Sequence, residues 1–526
     1  MELTEIWKYA SRPACAFIAT IAMSTVTVAE DLTIAFSAPP TTIDPHAVSS
    51  APSNSAGRHI FDSLINRGGN AENLPQLAIS WKPLDATHWE FRLREGVTFH
   101  DGTTFDSEDV VASLNRVASM PGKAFDPYTR TIKNVEATGP YTVVVETHAA
   151  DPLILNSLSR LRIVSAEFAN SGSDAFDQGK AVIGTGPFKF VSYTPGDEIV
   201  LERNDDYFAG PASWENLSIR IIPDSGARLA ALLSGDVDLI EALPAEGQVR
   251  VAESPDHEVM RGQSTRLIYL APDLFNDVSP QITDKDGNAL DQNPLRDIRV
   301  RQALRKSINR VAIVERIMSG NATVAHQWVA EGFLGNSANV EKVEYDPEGA
   351  KELLAAAGYP DGFRMQINGP AGRYENDSQV LQAVGQMFSS IGVDTTVIVQ
   401  PWSVFGPAYP DHVFSVYLAS WGINTGEVTN PTLAIAVSTD ADAGTGRYNG
   451  AGINDPRIDA LMEQALQELD GDKREAQMQE ISELIFNNSY LMPLHYESVA
   501  LGARKGLSYE PRSDKYTLAY DIKPAE

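Results

Sequence analysis

Cysteine is almost absent from this chain of 526 residues, and the single one is Cys15. It lies in an N-terminal apolar stretch that we predict to be removed as a signal peptide, and no leucine of the lipobox type precedes it. The mature protein would therefore contain no cysteine. This excludes disulfide bonds, thiol nucleophiles and cysteine metal sites, and it argues against a lipid anchor.

Basic residues are also scarce. The chain has 42 lysines and arginines and 70 aspartates and glutamates. The formal net charge of −28 and the lack of a basic tail argue against a nucleic-acid partner. The apolar content of 43% and the charged content of 21% are ordinary for a soluble globular protein. A chain of this length exceeds what one hydrophobic core supports, so we expect two or three domains.

Long apolar runs are missing after the N-terminus, so the sequence predicts no membrane-spanning helix there. At the N-terminus, Lys8 and Arg12 lie in a polar start, and residues 14–29 are apolar or small throughout. Small residues at 27–29 fit a cleavage site before Glu30. Residues 1–29 are therefore predicted to be a secretory signal peptide, which indicates a periplasmic location in a Gram-negative cell.

Catalytic motifs are missing as well: there is no HExxH, no GxSxG and no phosphate-binding loop. The nine histidines are scattered without the spacing of metal ligands. We therefore expect no catalytic residue, no bound metal and no cofactor. A hydrolase that uses two carboxylates stays open as the enzyme alternative, since aspartate and glutamate abound.

The most informative stretch that is present covers residues 74–116. Within it, residues 89–93 alternate between large apolar and charged side chains, which predicts a strand with one buried face. A turn at residues 100–102 follows, and Asp106 then caps a predicted helix. The apolar residues of that helix share one face: Val110, Val111, Leu114 and Val117.

The C-terminal half alternates strand-like and helix-like segments, which is typical of an α/β lobe. One long helix is predicted over residues 294–320, and its buried side is predicted to carry Ile298, Leu304, Ile308, Val311 and Ile317. Its opposite side is predicted to be a solvated face that carries Arg296, Arg299, Arg301 and Arg305.

Four blocks together resemble the family 5 solute-binding proteins of bacterial ABC importers, which are dipeptide-, oligopeptide- and nickel-binding receptors. They are residues 74–116, IGTGPFKF at 183–190, RDIRVRQALRKSINR at 296–310, and YDPEGAKELLAAAGYPDGF at 345–363. The resemblance covers nearly the whole mature chain, from IDPH at 43–46 to about residue 494.

This resemblance implies an α/β fold of the periplasmic binding protein type, a type II-like, cluster C clam shell with two lobes and an extra subdomain. It implies a discontinuous lobe I made of residues 30–60, 181–270 and 492–526. The inserted subdomain would cover residues 61–180 and lobe II residues 271–491. Two hinge crossovers are expected near Leu270 and near Met492-Pro493.

The resemblance also implies the function, which is reversible capture of a small peptide or peptide-like solute between the lobes. The loaded receptor, expected as a monomer, would deliver the solute to the membrane subunits of an ABC permease. An oligosaccharide, an opine-like conjugate or a nickel chelate stays open as the solute. A hydrolase is the less favoured alternative.

Peptide-binding members place an aspartate shortly after a tryptophan, and the matching stretch here is residues 421–431. Trp421 is a candidate wall of the cleft, although a core tryptophan would look the same. Asn424, Glu427 and Thr429 stand where relatives often carry aspartates. By resemblance, Glu427 is the candidate partner of a ligand amine, and the departure from the acidic pattern makes a neutral or sugar-like ligand more plausible.

A second set of candidates lies on loops at the ends of lobe II strands. Arg373 and Tyr374 follow a predicted strand, and strand ends of α/β lobes face ligands. Arg373 is a candidate clamp for a carboxylate or phosphate, with a solvated loop arginine as the alternative. Trp402 and Arg447 are candidates of the same kind.

Overall fold

The computed structural model describes residues 31–69, 71–120, 124–423 and 425–525. The predicted signal peptide at 1–29 and one predicted site residue, Asn424, lie outside the described residues. Within the described ranges, no helix combines the length and the apolar character that crossing a membrane requires.

Strands and helices alternate along the described chain, as the α/β class predicts. The strands are β1 (Leu32–Phe36), β2 (Ile65–Arg67), β3 (Asn73–Pro75), β4 (Ala78–Pro83), β5 (His88–Leu93), β6 (Ile132–Gly139), β7 (Thr142–Thr147), β8 (Phe188–Thr194), β9 (Glu198–Arg203), β10 (Asn216–Ile221), β11 (Leu239–Ile240), β12 (His257–Pro272), β13 (Ile282–Thr283), β14 (Ala322–Val324), β15 (Phe363–Ala371), β16 (Val393–Pro401), β17 (Val416–Gly422), β18 (Met492–Arg504), β19 (Leu507–Ser508) and β20 (Lys523–Pro524). The α-helices are α1 (Ala51–Ile60), α2 (Ser107–Ser119), α3 (Asp126–Thr129), α4 (Ile154–Leu158), α5 (Ser173–Asp177), α6 (Ser225–Ser234), α7 (Ala245–Glu253), α8 (Ile298–Ser307), α9 (Arg310–Ala312), α10 (Pro347–Ala356), α11 (Asp377–Ser390), α12 (Trp402–Ala408), α13 (Thr429–Pro431), α14 (Pro456–Ala465) and α15 (Gly471–Asn487).

A single 12-stranded sheet runs through both lobes in the order β13-β15-β17-β12-β18-β11-β1-β10-β9-β8, with β16 beside β15 and β14 beside β18. In this order, β13, β15 and β17 belong to lobe II, and β11, β1, β10, β9 and β8 belong to lobe I. A separate four-stranded sheet, β4-β5-β7-β6, forms the inserted subdomain. The clam-shell architecture with an extra subdomain is therefore present.

The two longest strands, β12 and β18, join the lobes. Residues 257–263 of β12 pair antiparallel with residues 498–504 of β18 in lobe I. Residues 267–270 pair with residues 492–496 in lobe II. The register shifts between these two halves of the ladder, which locally disrupts pairing and bends the strands.

We propose that the hinge lies at this register shift, between Gln263 and Leu267. The predicted crossovers at Leu270 and Met492-Pro493 lie a few residues into lobe II. Leu270 and Met492 are fully buried in a core of that lobe and are therefore positions inside it.

Separate hydrophobic cores occupy the lobes and the subdomain. Lobe II has one core on each face of its sheet, and the subdomain core draws its buried members from residues 64–163. Phe176 and Ala181 pack into the core of lobe I. We therefore propose 64–163 for the subdomain in place of the predicted 61–180.

The signature segment is folded as predicted. β5 buries Trp89, Phe91 and Leu93 on one face. Asp106 caps α2 in a reciprocal capping box with Asp109, which satisfies backbone N–H groups at the helix start. The helix buries Val110, Leu114 and Val117, while Val111 is half-buried.

A buried ion pair fastens α2 of the subdomain to lobe I. Arg116 donates from Nη1 to Oδ1 of Asp44 at 2.9 Å and from Nη2 to Oδ2 at 2.7 Å. The Ser173 hydroxyl donates a further hydrogen bond to Asp44 at 2.8 Å. Burial alone would raise the pKa of Asp44, but the hydrogen bonds and charge of Arg116 outweigh it and lower that pKa.

A second contact fastens the turn after β5 to the Gly-Thr-Gly-Pro stretch. His100 contacts the carbonyl of Gly186 through Nε2 at 3.0 Å, and its backbone N–H donates to the carbonyl of Gly184 at 2.9 Å. A Cβ at Gly184 would lie 2.0 Å from the carbonyl oxygen of Ile60. The glycines therefore permit close backbone approach to the end of α1, and the predicted turn before a strand is confirmed.

The predicted long helix over residues 294–320 is wrong in three respects. It is broken into a 3₁₀ turn, α8, α9 and a π-helical turn at Ile313–Ile317. Ile298 and Val311, predicted as buried, are exposed. Arg301 and Arg305, predicted as solvated, are buried. Their guanidinium groups donate to the carbonyls of Asn488 and Phe486 at the C-terminal end of α15, where helix carbonyls lack helical partners.

We predict that Arg116→Met destabilises the protein by about 3–5 kcal/mol, because it leaves the buried Asp44 carboxylate unpaired. Urea unfolding followed by circular dichroism measures the change. The matched control is Arg457→Met, which removes an exposed pair with Glu480 and should cost less than about 1 kcal/mol. Equal losses in the two variants would contradict the role given to Arg116.

Candidate binding cleft

The carboxyl ends of three parallel lobe II strands meet at one edge of the sheet. β15 pairs parallel with both β16 and β17. Most of the predicted site residues lie at this edge: Trp421 near the end of β17, Trp402 at the start of α12, and Arg373 and Tyr374 in the loop after β15. Such edges are where open α/β sheets bind ligands.

Aromatic rings form a continuous row along this edge. The ring centroids of Trp421 and Tyr448 are 5.5 Å apart, those of Tyr448 and Tyr409 are 6.3 Å apart, and those of Tyr409 and Trp402 are 6.3 Å apart. Trp402 keeps 38% of its surface exposed. We call these four residues the aromatic row.

Two of the predicted arginines lie on this row. Arg373 places its guanidinium carbon 4.9 Å from the ring centroid of Trp402, and Arg447 lies 5.6 Å from that of Tyr448. Both distances are within the range of cation–π attraction. Asp377 fixes the loop by accepting the backbone N–H groups of Arg373 and Tyr374 at 2.7 and 3.1 Å.

Trp421 is half-buried and contacts both the core and the row. Its indole N–H donates to the Asn430 side chain at 2.8 Å, and its ring packs against the lobe II core. Trp421 therefore contacts the lobe II core, and its role as a wall of the cleft stays a prediction.

Glu427 is not free to pair with an amine. It is buried and accepts two hydrogen bonds from Arg474, from Nη1 at 2.7 Å and from Nη2 at 2.6 Å. The Thr429 hydroxyl also donates to it. The structure thus corrects the interpretation of Glu427 as a ligand-pairing acid, because a bidentate ion pair already neutralises it and ties the loop after β17 to α15.

A cavity of about 250 Å³ lies where the two lobes and the subdomain meet. Lobe II contributes Ile423 to its wall, and Thr265 comes from the register shift of β12 between the lobes. The other side consists of α1, the C-terminal segment and subdomain residues, and it carries four arginines: Arg58, Arg67, Arg160 and Arg162. We call these four residues the arginine cluster.

Burial acts strongly on two members of the cluster, Arg67 and Arg162. It lowers the pKa of Arg67 to about 10, with a further contribution from the charge of Arg160. It lowers the pKa of Arg162 to about 9, with a further contribution from Arg58. Both side chains still remain protonated at neutral pH, so the cavity wall is cationic.

A larger cavity, of about 600 Å³, adjoins the first one, and Ala51 lines both. Its walls come from the β18 residues just beyond the hinge, from Asn321 and Glu375 of lobe II, and from Glu241 of lobe I. Burial raises the pKa of Glu241 to about 7, partly opposed by hydrogen bonds from Thr517 and Ser37.

Contacts across the cleft join the subdomain to lobe II. Arg67 and Asn156 both donate to the backbone carbonyl of Thr425, the latter at 3.3 Å. These bonds reach the loop that follows β17, two residues from the cavity-lining Ile423. The subdomain thus takes part in enclosing the first cavity.

The arginine cluster is the feature that the sequence did not reveal. Its members lie at positions 58, 67, 160 and 162, without a common motif. The only feature that the four positions share in the sequence is an arginine among mostly apolar or small residues. An arginine that donates to helix carbonyls has the same kind of sequence surroundings. Their convergence depends on how the subdomain docks against α1.

Known proteins resemble this chain over most of its length. The family model described as bacterial extracellular solute-binding proteins, family 5, matches residues 73–442. The chain belongs to this family. The family predicted from the four blocks is thereby confirmed.

Two curated relatives illustrate the likeness. Heme-binding protein A of Haemophilus influenzae is 26% identical over 84% of this chain and 82% of its own length. The glutathione-binding protein GsiB of Pectobacterium atrosepticum is 26% identical over 89% of this chain and 88% of its own. The names of both describe binding proteins.

Among solved structures, the unliganded open form of MppA, a periplasmic murein tripeptide binding protein, matches with a TM-score of 0.82. It is 20% identical, and the match covers 94% of this chain and 98% of that one. This likeness supports the two-lobed fold. Among the described residues, no three histidine, cysteine, aspartate or glutamate side chains are grouped so that they could hold a metal ion.

We predict that Glu241→Gln changes the pH dependence of stability. The pKa of this carboxyl is raised from 4.5 to about 7 in the folded protein. The folded state therefore retains a proton that the unfolded chain releases, so the contribution favours folding at low pH and is lost as the pH rises towards that folded value.

The free energy of unfolding of Glu241→Gln minus that of the wild type should thus increase between about pH 5 and 8. Urea unfolding across this range measures it, with the exposed Glu480→Gln as the control. A difference that stays flat with pH would contradict the raised pKa of Glu241.

Proposed function

We propose that this protein is the periplasmic receptor of an ABC importer and captures a small peptide or peptide-like solute between its lobes. The loaded receptor, as a monomer, delivers the solute to the membrane subunits of the permease. The observation that carries this proposal is the cavity whose wall is built by both lobes and the subdomain. A solute in that cavity contacts all three, so binding and lobe closure are coupled.

The β12–β18 ladder supports this coupling. Thr265 lies within the register shift and lines the first cavity, while residues 498–501 of β18 line the second. A solute therefore binds directly on the strands that we propose as the hinge. A change of lobe angle changes the shape of both cavities.

The aromatic row and Arg373 are proposed as the lobe II surface that meets the solute. They stand at the carboxyl edge of the parallel strands, close in sequence to the cavity-lining Glu375 and Ile423. Ring faces favour peptide planes, aliphatic side chains and cations. Arg447 extends this surface, and Asn424, next to Ile423 in sequence, is proposed with it.

The proposal of a peptide-like solute also draws on the relatives, whose names describe glutathione and murein tripeptide as ligands. An oligosaccharide, an opine-like conjugate or a nickel chelate would use the same cleft and is an alternative outcome of the test. A two-carboxylate hydrolase is the other alternative.

We expect di- and tripeptides to raise the melting temperature. A ligand at 100 times its Kd adds about 2.7 kcal/mol to the free energy of unfolding. A thermal-shift series on refolded, ligand-free protein should compare peptides with maltose, octopine and nickel–histidine. Stabilisation by one of the other compounds and not by peptides would overturn the peptide assignment, and steady release of hydrolysis products would overturn the receptor role.

We also predict export with cleavage after Ala29. N-terminal sequencing of the periplasmic protein from a Gram-negative host should begin at Glu30. Ala29→Arg places a long cation at a position that needs a small residue, so it should leave the uncleaved precursor. A full-length wild-type protein in the cytoplasm would contradict periplasmic export.

A further inference from the structure

The second cavity, of about 600 Å³, brings acidic side chains from both lobes to one space. Lobe I contributes Glu241, which directly follows β11, and lobe II contributes Glu375, in the loop after β15. Much of the remaining wall is apolar and includes Ala38, Pro52, Leu243, Pro244, Val499 and Leu501. Ligand cavities commonly combine such walls with a few polar or charged groups that fix the ligand's orientation. The charged groups of this cavity therefore decide which solute charge it accepts.

The cation among the described residues that line this cavity, Lys515, lies beside a third acid. Its Nζ is 3.5 Å from Oε2 of Glu497, which is not part of the cavity lining, and Nε of Arg266 is 3.7 Å from the same oxygen. The charges of Lys515 and Glu497 act on Glu375 in opposite directions. The positive charge of Lys515 is thus shared between acids inside and outside the cavity.

Glu241 has a hydrogen-bond donor beside it but no salt-bridge partner among the described residues. The backbone N–H of Ser37 donates to its Oε2 at 3.3 Å. The charge of Arg228 acts on Glu241, but the guanidinium of Arg228 donates to the backbone carbonyls of residues 222–223 and 241–242. Arg228 is therefore oriented by the backbone, and it forms no hydrogen bond with the carboxylate.

The surroundings of Glu241 favour its neutral form. Burial raises the pKa of Glu241 to about 7, and the opposing hydrogen bonds from Thr517 and Ser37 and the charge of Arg228 do not outweigh it. A cation beside this carboxylate would favour the ionised form, and in a poorly solvated cavity the attraction exceeds that at an exposed site. A neutral group gains a hydrogen bond at most, whereas a solute carboxylate would also meet the charge of Glu375.

We propose that the solute carries a cationic nitrogen group, an ammonium or a guanidinium, which binds Glu241 in the second cavity while Glu375 faces it from lobe II. This rests on the proposed receptor function and narrows its substrate class. It also moves the pairing with a ligand amine from Glu427, which Arg474 already binds, to a carboxylate in the cavity wall. Because the two acids belong to different lobes, a cation between them favours lobe closure.

The first test uses ligand-free wild-type protein and ligands of matched size. Isothermal titration at neutral pH compares Ala-Ala-Ala with lactyl-Ala-Ala, in which a hydroxyl replaces the N-terminal ammonium. Lactyl-Lys-Ala and lactyl-Glu-Ala place a cation or an anion on the side chain instead. We expect at least one of the two cationic ligands to bind at least about 10-fold more tightly than lactyl-Ala-Ala, since one charge-assisted pair accounts for that factor. Lactyl-Glu-Ala should bind least.

The second test uses Glu241→Gln, which removes the charge and keeps the shape, with the exposed Glu480→Gln of α15 as the control. Glu241→Gln should weaken the tighter cationic ligand at least about 10-fold while changing lactyl-Ala-Ala by less than about 3-fold. Glu375→Gln should weaken the same ligand by a smaller factor, because the Glu375 side chain is more exposed. The control should change neither ligand. If Glu241→Gln does not fold by circular dichroism, Glu375→Gln and the wild-type ligand series decide.

The outcomes separate the inference from the function on which it rests. Equal affinity for the cationic ligands and lactyl-Ala-Ala overturns the inference and leaves the receptor function intact. Unchanged binding of the cationic ligand by Glu241→Gln overturns the role of this carboxylate. Tightest binding of lactyl-Glu-Ala overturns the cationic class. If no member of the series binds, and maltose, octopine and nickel–histidine do not bind either, the receptor function is overturned as well.

Discussion

The pairing of β12 with β18 is the constraint on which the rest of the structure depends. These two strands carry one antiparallel ladder through both lobes, and its register shifts where the lobes meet. A continuous ladder would hold the lobes as one rigid sheet, whereas a local irregularity bends the strands without separating them. Both cavities lie against this part of the ladder, so the space for a solute is lined by residues at or beside the proposed hinge.

The family blocks that could be recognised in the sequence contain residues that contact segments distant in the chain. Arg116 of the first block forms a buried pair with Asp44 of the IDPH stretch at 43–46, and His100 of the first block contacts Gly186 of the block at 183–190. Their local structure was predictable because strand alternation, a capping aspartate and glycine turns act over a few residues. Their joint effect, which is to dock the subdomain on α1, shapes the cationic side of the cleft.

What the sequence could not reveal depends on partners distant in the chain. Periodicity separates the two faces of α8, but it does not tell whether Arg301 and Arg305 meet water or the carbonyls at the end of α15. From the sequence, Glu427 is a reasonable partner for a ligand amine. In the structure, Arg474, which lies 47 positions later in the chain, binds its carboxylate. The arginine cluster has the same origin, since its members converge only after three segments have packed.

The contrast between a strongly acidic protein and a cationic cavity wall shows that net charge and local charge act over different distances. At physiological ionic strength, charges more than about 8–10 Å apart are largely screened, so the acidic surface acts only weakly on a distant solute. Within the cavity, the guanidinium groups act over a few ångströms and in a poorly solvated space, where electrostatic interactions are much stronger. Since α1 and the subdomain supply the arginines while lobe II supplies the aromatic row, the two sides of the proposed cleft offer a solute different chemistry. A solute that contacts both sides would therefore couple binding to lobe closure.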